Sequence, residues 1–391
     1  MKAIPYHPDF YGDAFILDPL PHYADMRAIG PVVWLEQNNA YAVARDAEVK
    51  EELRRADVFV SGKGLSLNDD VNAMLLGSTL NSDGDLHHKR RSITARPIMP
   101  KNIEPLRAHI ESIAQDLAFT LSEKKHFDAV TEFAQVLPLA VVVDLVGLGD
   151  AGEGSMLKWA SATFNLFEGR NARSKAAFDD LVGLQRFLSE YGKPERLKDG
   201  GLAKRIFEVA AEKGLSESEA AQQMRDYINP SLDTTISVAG FAAYYFAKYP
   251  EQWQLLREDP SLVANAVEEI VRMTTPIRAF SRYVAQDTII SGVDIEQGSR
   301  VIAIYASANR DDAVWENSNT FDVRRAVRKH IGFGHGVHTC MGLHLARLEL
   351  VSLITAMLTL VKCWHLDGAP TIAMNNTIRA FAHLPIRIET E

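Results

Sequence analysis

The sequence has only two cysteines among 391 residues. Two cysteines exclude a disulfide framework and a multi-cysteine zinc site, and such sparing use is typical of a protein in a reducing cytosol. The formal net charge is −9, so the excess charge has the wrong sign for general nucleic-acid binding. We therefore predict a cytoplasmic protein that does not act on nucleic acids.

Long hydrophobic runs are also missing. The most apolar stretch, LPLAVVVDLVGLG, is too short to span a bilayer and contains Asp144. The N-terminal residues show no apolar run of the signal-peptide type. Because no internal repeat or low-complexity linker marks a boundary, we expect one domain over residues 1–391 and no membrane anchor.

Helical periodicity dominates the middle of the chain. Apolar residues recur at helical spacing over most of residues 101–275, whereas strand-like patterns are short. Residues 31–44, PVVWLEQNNAYAVA, are typical of a β-hairpin with a Gln-Asn-Asn turn. Further short strands are predicted within TIISGVDI, RVIAIYAS, PTIAM and LPIRI. The pattern predicts a mainly α fold with small β-sheets.

One of the two cysteines lies in a glycine-rich stretch, FGHGVHTCMG, at residues 333–342. The leucines of the following LHLARLEL recur at helical spacing, so Cys340 lies at or just before a helix N-terminus. Backbone N–H groups and the positive end of the helix dipole favour a thiolate there. The sulfur is therefore predicted to be a metal ligand or a nucleophile.

Three interpretations of Cys340 follow from its surroundings. It could be the nucleophile of a cysteine hydrolase with His338 as its base, or a structural cysteine that behaves as a small hydrophobe. It could also be the axial thiolate ligand of haem iron. Glycine on both sides favours haem, because glycine lets the backbone pass close to a flat macrocycle.

The stretch matches the signature Phe-Gly-x-Gly-x-His/Arg-x-Cys-x-Gly at every fixed position, and by it the sequence is identified as a member of the cytochrome P450 family. The resemblance covers nearly the whole chain. It implies the P450 fold, with haem b between a long distal helix and the helix after the cysteine loop. It further implies that Cys340 is the axial ligand of the iron, with Phe333 and Gly342 beside the haem.

Haem propionates need cationic or hydrogen-bonding partners. By resemblance these are His87 and Arg91 in SDGDLHHKRRS, Arg282 in AFSRYVAQD, and His338 in the cysteine loop. A separate structural network is implied around Glu269 and Arg272 of AVEEIVRM, which lie one helical turn apart and can form an ion pair. In the family an arginine before the cysteine loop joins this pair, and Arg325 of FDVRR resembles it most.

The long segment QQMRDYINPSLDTTISVAGFAAYYFAKY resembles the distal helix. In the family an acid–alcohol pair, here Asp233 and Thr234, lies over the haem, and such a pair can deliver the protons that oxygen activation requires. Pro230 and Ser231 replace the usual alanine and glycine, and Pro230 leaves the carbonyl of Asp226 without its N–H partner, so a kink is expected. The acid–alcohol pair favours a monooxygenase, whereas the altered segment leaves a non-catalytic haem-binding or sensor protein as the alternative.

Several segments, among them FNLFEG and NNTIRAFAHLPIRI, look most like the bacterial P450 group that oxidises para-substituted benzoates. Residues 63–87, however, have four aspartates and no arginine, and Asp226 opens the distal helix. A buried carboxylate beside a substrate carboxylate is unfavourable. We therefore expect a neutral para-alkyl or methoxy phenol that donates to Asp226, with a benzoate bound by Arg225 as the alternative. Phe164 and Phe167 are candidate pocket walls.

The chain has no segment typical of flavin or iron–sulfur binding, yet the implied reaction needs two electrons. The resemblance implies a [2Fe–2S] ferredoxin and an NAD(P)H-dependent reductase as partners. We expect an acidic ferredoxin to dock on a basic patch. The predicted patch comprises Lys89, Arg90, Arg324, Arg325, Arg328, Lys329 and Arg347. The predicted function is insertion of one oxygen atom from O2 into a small aromatic substrate, by hydroxylation or O-demethylation.

Overall fold

The computed structural model describes residues 1–147, 153–327 and 329–390. Its α-helices are Asp13–Leu17 (α1), Pro19–Ile29 (α2), Asp46–Arg54 (α3), Asp69–Leu75 (α4), Gly84–Thr94 (α5), Pro100–Ile103 (α6), Arg107–Lys124 (α7), Val136–Val146 (α8), Glu153–Asn165 (α9), Ala172–Ala176 (α10), Phe178–Tyr191 (α11), Leu202–Glu212 (α12), Glu217–Gln223 (α13), Arg225–Lys248 (α14), Pro250–Glu258 (α15), Val263–Thr274 (α16), Tyr305–Ala308 (α17) and Leu343–Leu358 (α18). In the ranges given, no helix is long and apolar enough to cross a bilayer.

The β-strands are short and lie mostly toward the two ends of the chain. They are Ile4–Tyr6 (β1), Val33–Leu35 (β2), Ala40–Val43 (β3), Phe59–Val60 (β4), His126–Asp128 (β5), Phe280–Val284 (β6), Thr288–Ile290 (β7), Val293–Ile295 (β8), Arg300–Ala303 (β9), Val361–Leu366 (β10), Thr371–Ile372 (β11), Phe381–His383 (β12) and Pro385–Thr390 (β13). The prediction of a mainly α fold with small sheets is confirmed.

The largest sheet has six strands in the order β1-β2-β3-β9-β6-β4. The predicted hairpin is present, because β2 and β3 pair antiparallel with Val33 opposite Ala42. Next to it, β3 pairs in parallel with β9, and β9 pairs antiparallel with β6, where Arg282 lies opposite Val301. This register joins the N-terminal part of the chain to the segment after α16 and fixes the position of Arg282.

The other sheets are smaller. Strands β10, β13 and β5 form a three-stranded sheet in that order, and β7–β8 and β11–β12 form two-stranded ones. The three-stranded sheet packs through β10 against α14 and α15. The sheets therefore flank a helical body.

Helix α14 runs through the helical body and packs against α8, α9, α16 and β10. Its second half is rich in alanine and aromatic residues and is buried, with Phe241 at 2% and Phe246 at 1% exposure. Its first half contains Pro230, and the helix nevertheless runs without interruption through that residue. The hydroxyl of Thr234 donates to the carbonyl oxygen of Pro230 at 2.6 Å, one turn back.

A buried ion-pair network ties α16 to the segment before the cysteine loop. Arg272 makes two bonds to Glu269, at 2.7 and 2.9 Å, and both side chains are fully buried. Arg272 also donates to the carbonyl oxygens of Asn309 and Ser318. Arg325 reaches Glu269 at 3.0 Å. The predicted Glu269–Arg272–Arg325 network is thus confirmed.

Candidate active site

A large cavity lies between the cysteine loop and the first half of α14. One side is formed by the loop and the start of α18, including Phe333, Cys340 and Gly342. The opposite side is formed by α14, including Ser231 and Thr234. The cavity therefore separates the two segments that the sequence assigns to the two faces of a haem.

Tight backbone packing holds the cysteine loop in place. Gly334 and Gly336 adopt φ values of +76° and +73°, in the left-handed region that favours glycine. A Cβ on Gly336 would lie 2.4 Å from the carbonyl oxygen of Leu53, so α3 leaves no room for a side chain there. The N–H of Cys340 donates to the carbonyl of Phe333 at 2.8 Å and closes the loop.

Cys340 is exposed toward the cavity although it lies deep within the protein. Burial raises the pKa of its thiol, and the N–H groups of Gly342 and Leu343 with the charges of Arg91 and Arg347 offset this only in part. The N–H groups at the start of α18 thus act in the predicted direction, toward a thiolate, although desolvation is the larger effect on the free thiol. A coordinating metal cation deprotonates a thiol outright, so the thiolate requires the iron.

One edge of the cavity is cationic. Arg91 and Arg282 border it, and Arg91 is anchored by a 2.5 Å bond to the carbonyl of Thr339. His338 also borders the cavity, and its ring lies 4.3 Å from that of His87. The four predicted propionate partners are thus together, although His87 does not itself border the cavity.

Two imidazole nitrogens at this edge are buried and unpaired. The Nε2 atoms of His87 and His338 have no hydrogen-bond partner in the part of the chain that the structure describes. Asp83 lies 4.0 Å from Nε2 of His338, beyond hydrogen-bond distance. Burial, reinforced by His338 and Arg91, lowers the pKa of His87 to about 4. Buried polar atoms normally have partners, so these nitrogens and the two arginines fit the carboxylates of a haem.

The acid–alcohol pair of α14 is divided between two environments. Thr234 borders the cavity, whereas Asp233 does not. Burial raises the pKa of Asp233 to about 7. The structure therefore places the hydroxyl on the cavity side of the helix and the carboxyl behind it.

All four predicted pocket residues border the cavity: Phe164, Phe167, Arg225 and Asp226. Asp226 accepts the N–H of Thr79 at 3.0 Å, and burial raises the pKa of its carboxyl. Arg225 is directed at backbone, since its Nη2 donates to the carbonyl of Leu76 at 3.0 Å. Of these two charged groups, Asp226 is the one that can accept a hydrogen bond from a ligand, because a guanidinium has only donors.

Sequence analysis missed Thr79, which also borders the cavity. Its hydroxyl lies 3.1 Å from the side-chain oxygen of Gln223 and 3.3 Å from the hydroxyl of Thr94. The polar loop GSTLNSDG before α5 was the available signal. The partner Asp226 is 147 positions away, so local pattern could not show the contact.

The predicted docking patch is smaller than expected. Arg325 and Arg347 are bound to Glu269 and Glu268. The charge of Arg90 favours the ionised form of Asp226, and its guanidinium donates to the carbonyl of Ser78. Arg90 therefore lies on the pocket side. Arg328 lies outside the described residues. The remaining candidates are Arg324 and Lys329, which are exposed, and Lys89, which is half-buried.

The chain is similar in sequence to known proteins. The family model for cytochrome P450 matches residues 194–365. The chain is 31% identical over 378 residues to cytochrome P450 CYP199A2 of Rhodopseudomonas palustris, an alignment that covers 96% of this chain and 92% of the relative.

Solved structures agree with the sequence comparison. The structure of P450BioI in complex with an acyl carrier protein ligated to hexadec-9Z-enoic acid superposes with a TM-score of 0.87 at 24% identity, covering 96% of this chain and 100% of that chain. CYP108D1 from Novosphingobium aromaticivorans gives a TM-score of 0.83 at 26% identity, covering 96% and 95%.

These similarities extend over almost the entire chain, and they agree with the cavity, the cysteine loop and the cationic edge. The family's cofactor is haem b, ligated through a cysteine thiolate. The chain belongs to the cytochrome P450 family of haem-thiolate monooxygenases.

Proposed function

We propose that this monooxygenase hydroxylates or O-demethylates a small para-substituted aromatic compound with electrons from a ferredoxin. One atom of O2 enters the substrate and the other leaves as water, which consumes two electrons and two protons. Where the hydroxylated carbon is an O-methyl group, the product releases formaldehyde and leaves a phenol. The observation that carries the proposal is the position of Cys340 and Asp226 on one cavity.

Haem b supplies the oxygen-activating chemistry, and the chain's residues hold it. Cys340 ligates the iron, with the N–H groups of Gly342 and Leu343 directed at its sulfur. Arg91, Arg282 and His338 border the cavity and would bind the propionates, with His87 beside His338. The proposal also treats residues 1–391 as one domain, because the residues around the cavity come from positions 53–350.

Asp233 and Thr234 deliver protons to the cavity. The hydroxyl of Thr234 borders the cavity and its proton is shared with the carbonyl of Pro230. Asp233, with a pKa of about 7, holds and releases a proton near neutral pH. In this arrangement the carboxyl supplies the proton and the hydroxyl passes it to the cavity.

The expected substrate is a neutral para-alkyl or methoxy phenol. Its ring packs against Phe164 and Phe167, which border the cavity and whose rings lie 6.1 Å apart. Its hydroxyl donates to Asp226, one oxygen of which already accepts from Thr79. A benzoate would place a second carboxylate beside Asp226, which is unfavourable.

Spectral titration of the purified ferric protein tests this assignment. We expect 4-methoxyphenol to bind and Asp226→Ala to weaken its binding by about 10- to 150-fold, since a hydrogen bond to a charged group contributes about 1.5–3 kcal/mol. Arg225→Gln is the comparison on the neighbouring residue and should weaken phenol binding less than Asp226→Ala does, because Arg225 donates to backbone. Tight binding of 4-methoxybenzoate that is lost in Arg225→Gln, with no phenol binding, would contradict the assignment.

A haem-binding sensor is the second candidate, favoured by Pro230 and Ser231 at the distal face. The two functions differ in turnover. With ferredoxin, reductase and a bound phenol, a monooxygenase consumes NAD(P)H and forms a matching amount of oxidised product, whereas a sensor forms none. We expect product, and we infer a cytoplasmic setting in which such reductases operate.

A further inference from the structure

Glu52 is a fully buried carboxyl that the functions described so far leave without a role. It lies on α3, next to Leu53, which borders the cavity. Its exposure is 0%, and neither oxygen has a hydrogen-bond partner among the described residues. A buried carboxylate without donors is unfavourable, and burial raises the pKa of Glu52 to about 8.

The positive charge of Arg282 favours ionisation of Glu52 and opposes the effect of burial on its pKa. Arg282 belongs to the cationic edge of the cavity. Tyr305 of α17 lies near both groups, because the charges of Arg282 and Glu52 each influence the pKa of its hydroxyl. Both Arg282 and Tyr305 border the cavity, whereas Glu52 does not. The three groups therefore form a buried cluster in which Glu52 lies behind Arg282.

The other charged groups near α3 have different partners. Helix α3 packs against α17, β9 and the turn Gly336–His338. The charges of Arg282 and Asp83 both influence the pKa of His338, and Asp83 lies 4.0 Å from its Nε2 atom. Arg300 of β9 binds the carbonyls of Lys63 and Gly64 and the carboxylate of Asp69.

Neighbours on α3 itself are also engaged elsewhere. Glu48 accepts a hydrogen bond from Ser291 at 2.7 Å, and Lys50 pairs with Asp46 at 2.8 Å. The charge of Arg54 helps to lower the pKa of His335 in the cysteine loop. Arg282 is thus the counter-charge that governs Glu52.

We propose that Glu52 is a proton-holding group of the haem site, sharing Arg282 with a haem propionate. With its proton, Glu52 is neutral and leaves the charge of Arg282 to the propionate. Without it, Glu52 competes for Arg282 and places a negative charge near the haem. The inference rests on the proposed contact between Arg282 and the propionate, and it is independent of the substrate.

The sign of the effect follows from electrostatics. Reduction adds an electron to the haem, and a negative charge nearby disfavours it. The midpoint potential should therefore fall as pH rises through the pKa of Glu52. The propionate is a second anion on Arg282 and raises that pKa further, so the fall belongs at or above pH 8.

Spectroscopic redox titration of the holoprotein, from about pH 7 to about pH 10, tests the proposal. The potential of the wild-type protein should fall across this range, and Glu52→Gln, which cannot ionise, should show a smaller fall. Glu48→Gln is the matched control one turn earlier on α3 and should keep it. Glu349, a buried carboxyl bordering the cavity with a pKa of about 8, is present in every variant, so the difference isolates Glu52.

Haem transfer to an acceptor globin gives a second readout. Haem loss from the wild-type protein should be about tenfold faster at the alkaline end, which corresponds to one unit of pKa coupling, and Glu52→Gln should reduce the increase. Glu52→Met, neutral and of similar size, should behave likewise if Glu52→Gln folds poorly. Equal pH slopes in the wild type and both variants would overturn the role of Glu52. A wild-type protein without haem would instead refute the haem site itself.

Discussion

Thr234 and Asp233 are adjacent residues of α14 with different surroundings. The hydroxyl of Thr234 borders the cavity, and Thr234→Ala removes the group that passes protons into it. We expect product formation to slow by about 10²-fold, the lower end of the range for a positioned proton-transfer group. Thr234→Ser keeps the hydroxyl and should retain most of the activity. Equal rates in the alanine variant and the wild type would remove Thr234 from the relay.

The carboxyl of Asp233 predicts a pH dependence. Burial raises its pKa to about 7, so it holds its proton below pH 7 and loses it above. Product formed per NAD(P)H should therefore decline as pH rises through 7. In Asp233→Asn this decline should be absent and the overall yield lower. A variant that keeps the wild-type pH profile would show that another group supplies the proton.

The role of an individual residue could be predicted from sequence where that residue belongs to a short motif with many fixed positions. Cys340 is bracketed by glycines in a ten-residue signature, so its role followed from local sequence. Its thiol pKa did not, because desolvation depends on the surrounding tertiary structure. Thr79 and Glu52 escaped prediction for the same reason, since each depends on a partner far away in the sequence.

At the scale of elements, Pro230 of α14 is the clearest source of local instability. A proline in a helix interior removes one hydrogen bond and costs about 3 kcal/mol, while its rigidity restores up to about 1 kcal/mol through the unfolded chain. Pro230→Ala should therefore stabilise the protein by about 2 kcal/mol in urea unfolding. Pro250, at the first turn of α15, is the control, and Pro250→Ala should bring no such gain. A destabilised Pro230→Ala variant would mean that the carbonyl of Asp226 already has a good partner.

Helix α16 offers a second comparison in two adjacent glutamates. Glu269 is fully buried against Arg272, so Glu269→Gln should cost about 3–5 kcal/mol and lower haem retention. Glu268 is 21% exposed beside Arg347 and His330, and Glu268→Gln should cost less, up to about 3 kcal/mol, because its depressed pKa corresponds to stability of that size. Urea unfolding of both variants measures the difference, and equal costs would contradict the assigned burial.

Glu268 of α16 should also contribute to the loss of folding stability at acid pH. Burial opposes ionisation of Glu268, but bonds from His330 and Arg347 outweigh it and hold its pKa to about 2. The stability from this depressed pKa is present above the ordinary carboxyl pKa and lost as pH falls toward 2. Wild-type stability should thus fall more steeply than that of Glu268→Gln between about pH 5 and about pH 2. Parallel curves would exclude this contribution.

Sequence pattern predicted the elements that carry a local signal. The β2–β3 hairpin has two apolar runs and a polar turn, and α14 and α18 have clear helical periodicity. Strand β4 spans two residues, and β6 becomes a strand through its pairing with β9. Such short strands depend on tertiary neighbours more than on propensity.

At the scale of the whole molecule, the net charge of −9 makes an exposed basic patch informative. Arg324 and Lys329 are the exposed members of the predicted docking surface. Reversing both charges should slow electron transfer from an acidic ferredoxin about tenfold or more at low salt, because steering raises association rates. Lys362→Glu is the control, because Lys362 is an exposed lysine of β10. Unchanged transfer in the double variant, with unchanged substrate binding, would reject the patch.

The measurement that tests the account most directly is the absorption spectrum of the dithionite-reduced protein with carbon monoxide. Thiolate ligation by Cys340 predicts the long-wavelength Soret band that gives the cytochrome P450 family its name, and Cys340→His should replace it with the shorter-wavelength band of a nitrogen-ligated haem. Haem whose spectrum is the same in the wild type and in Cys340→His, or no haem in the wild type, would contradict Cys340 as the ligand.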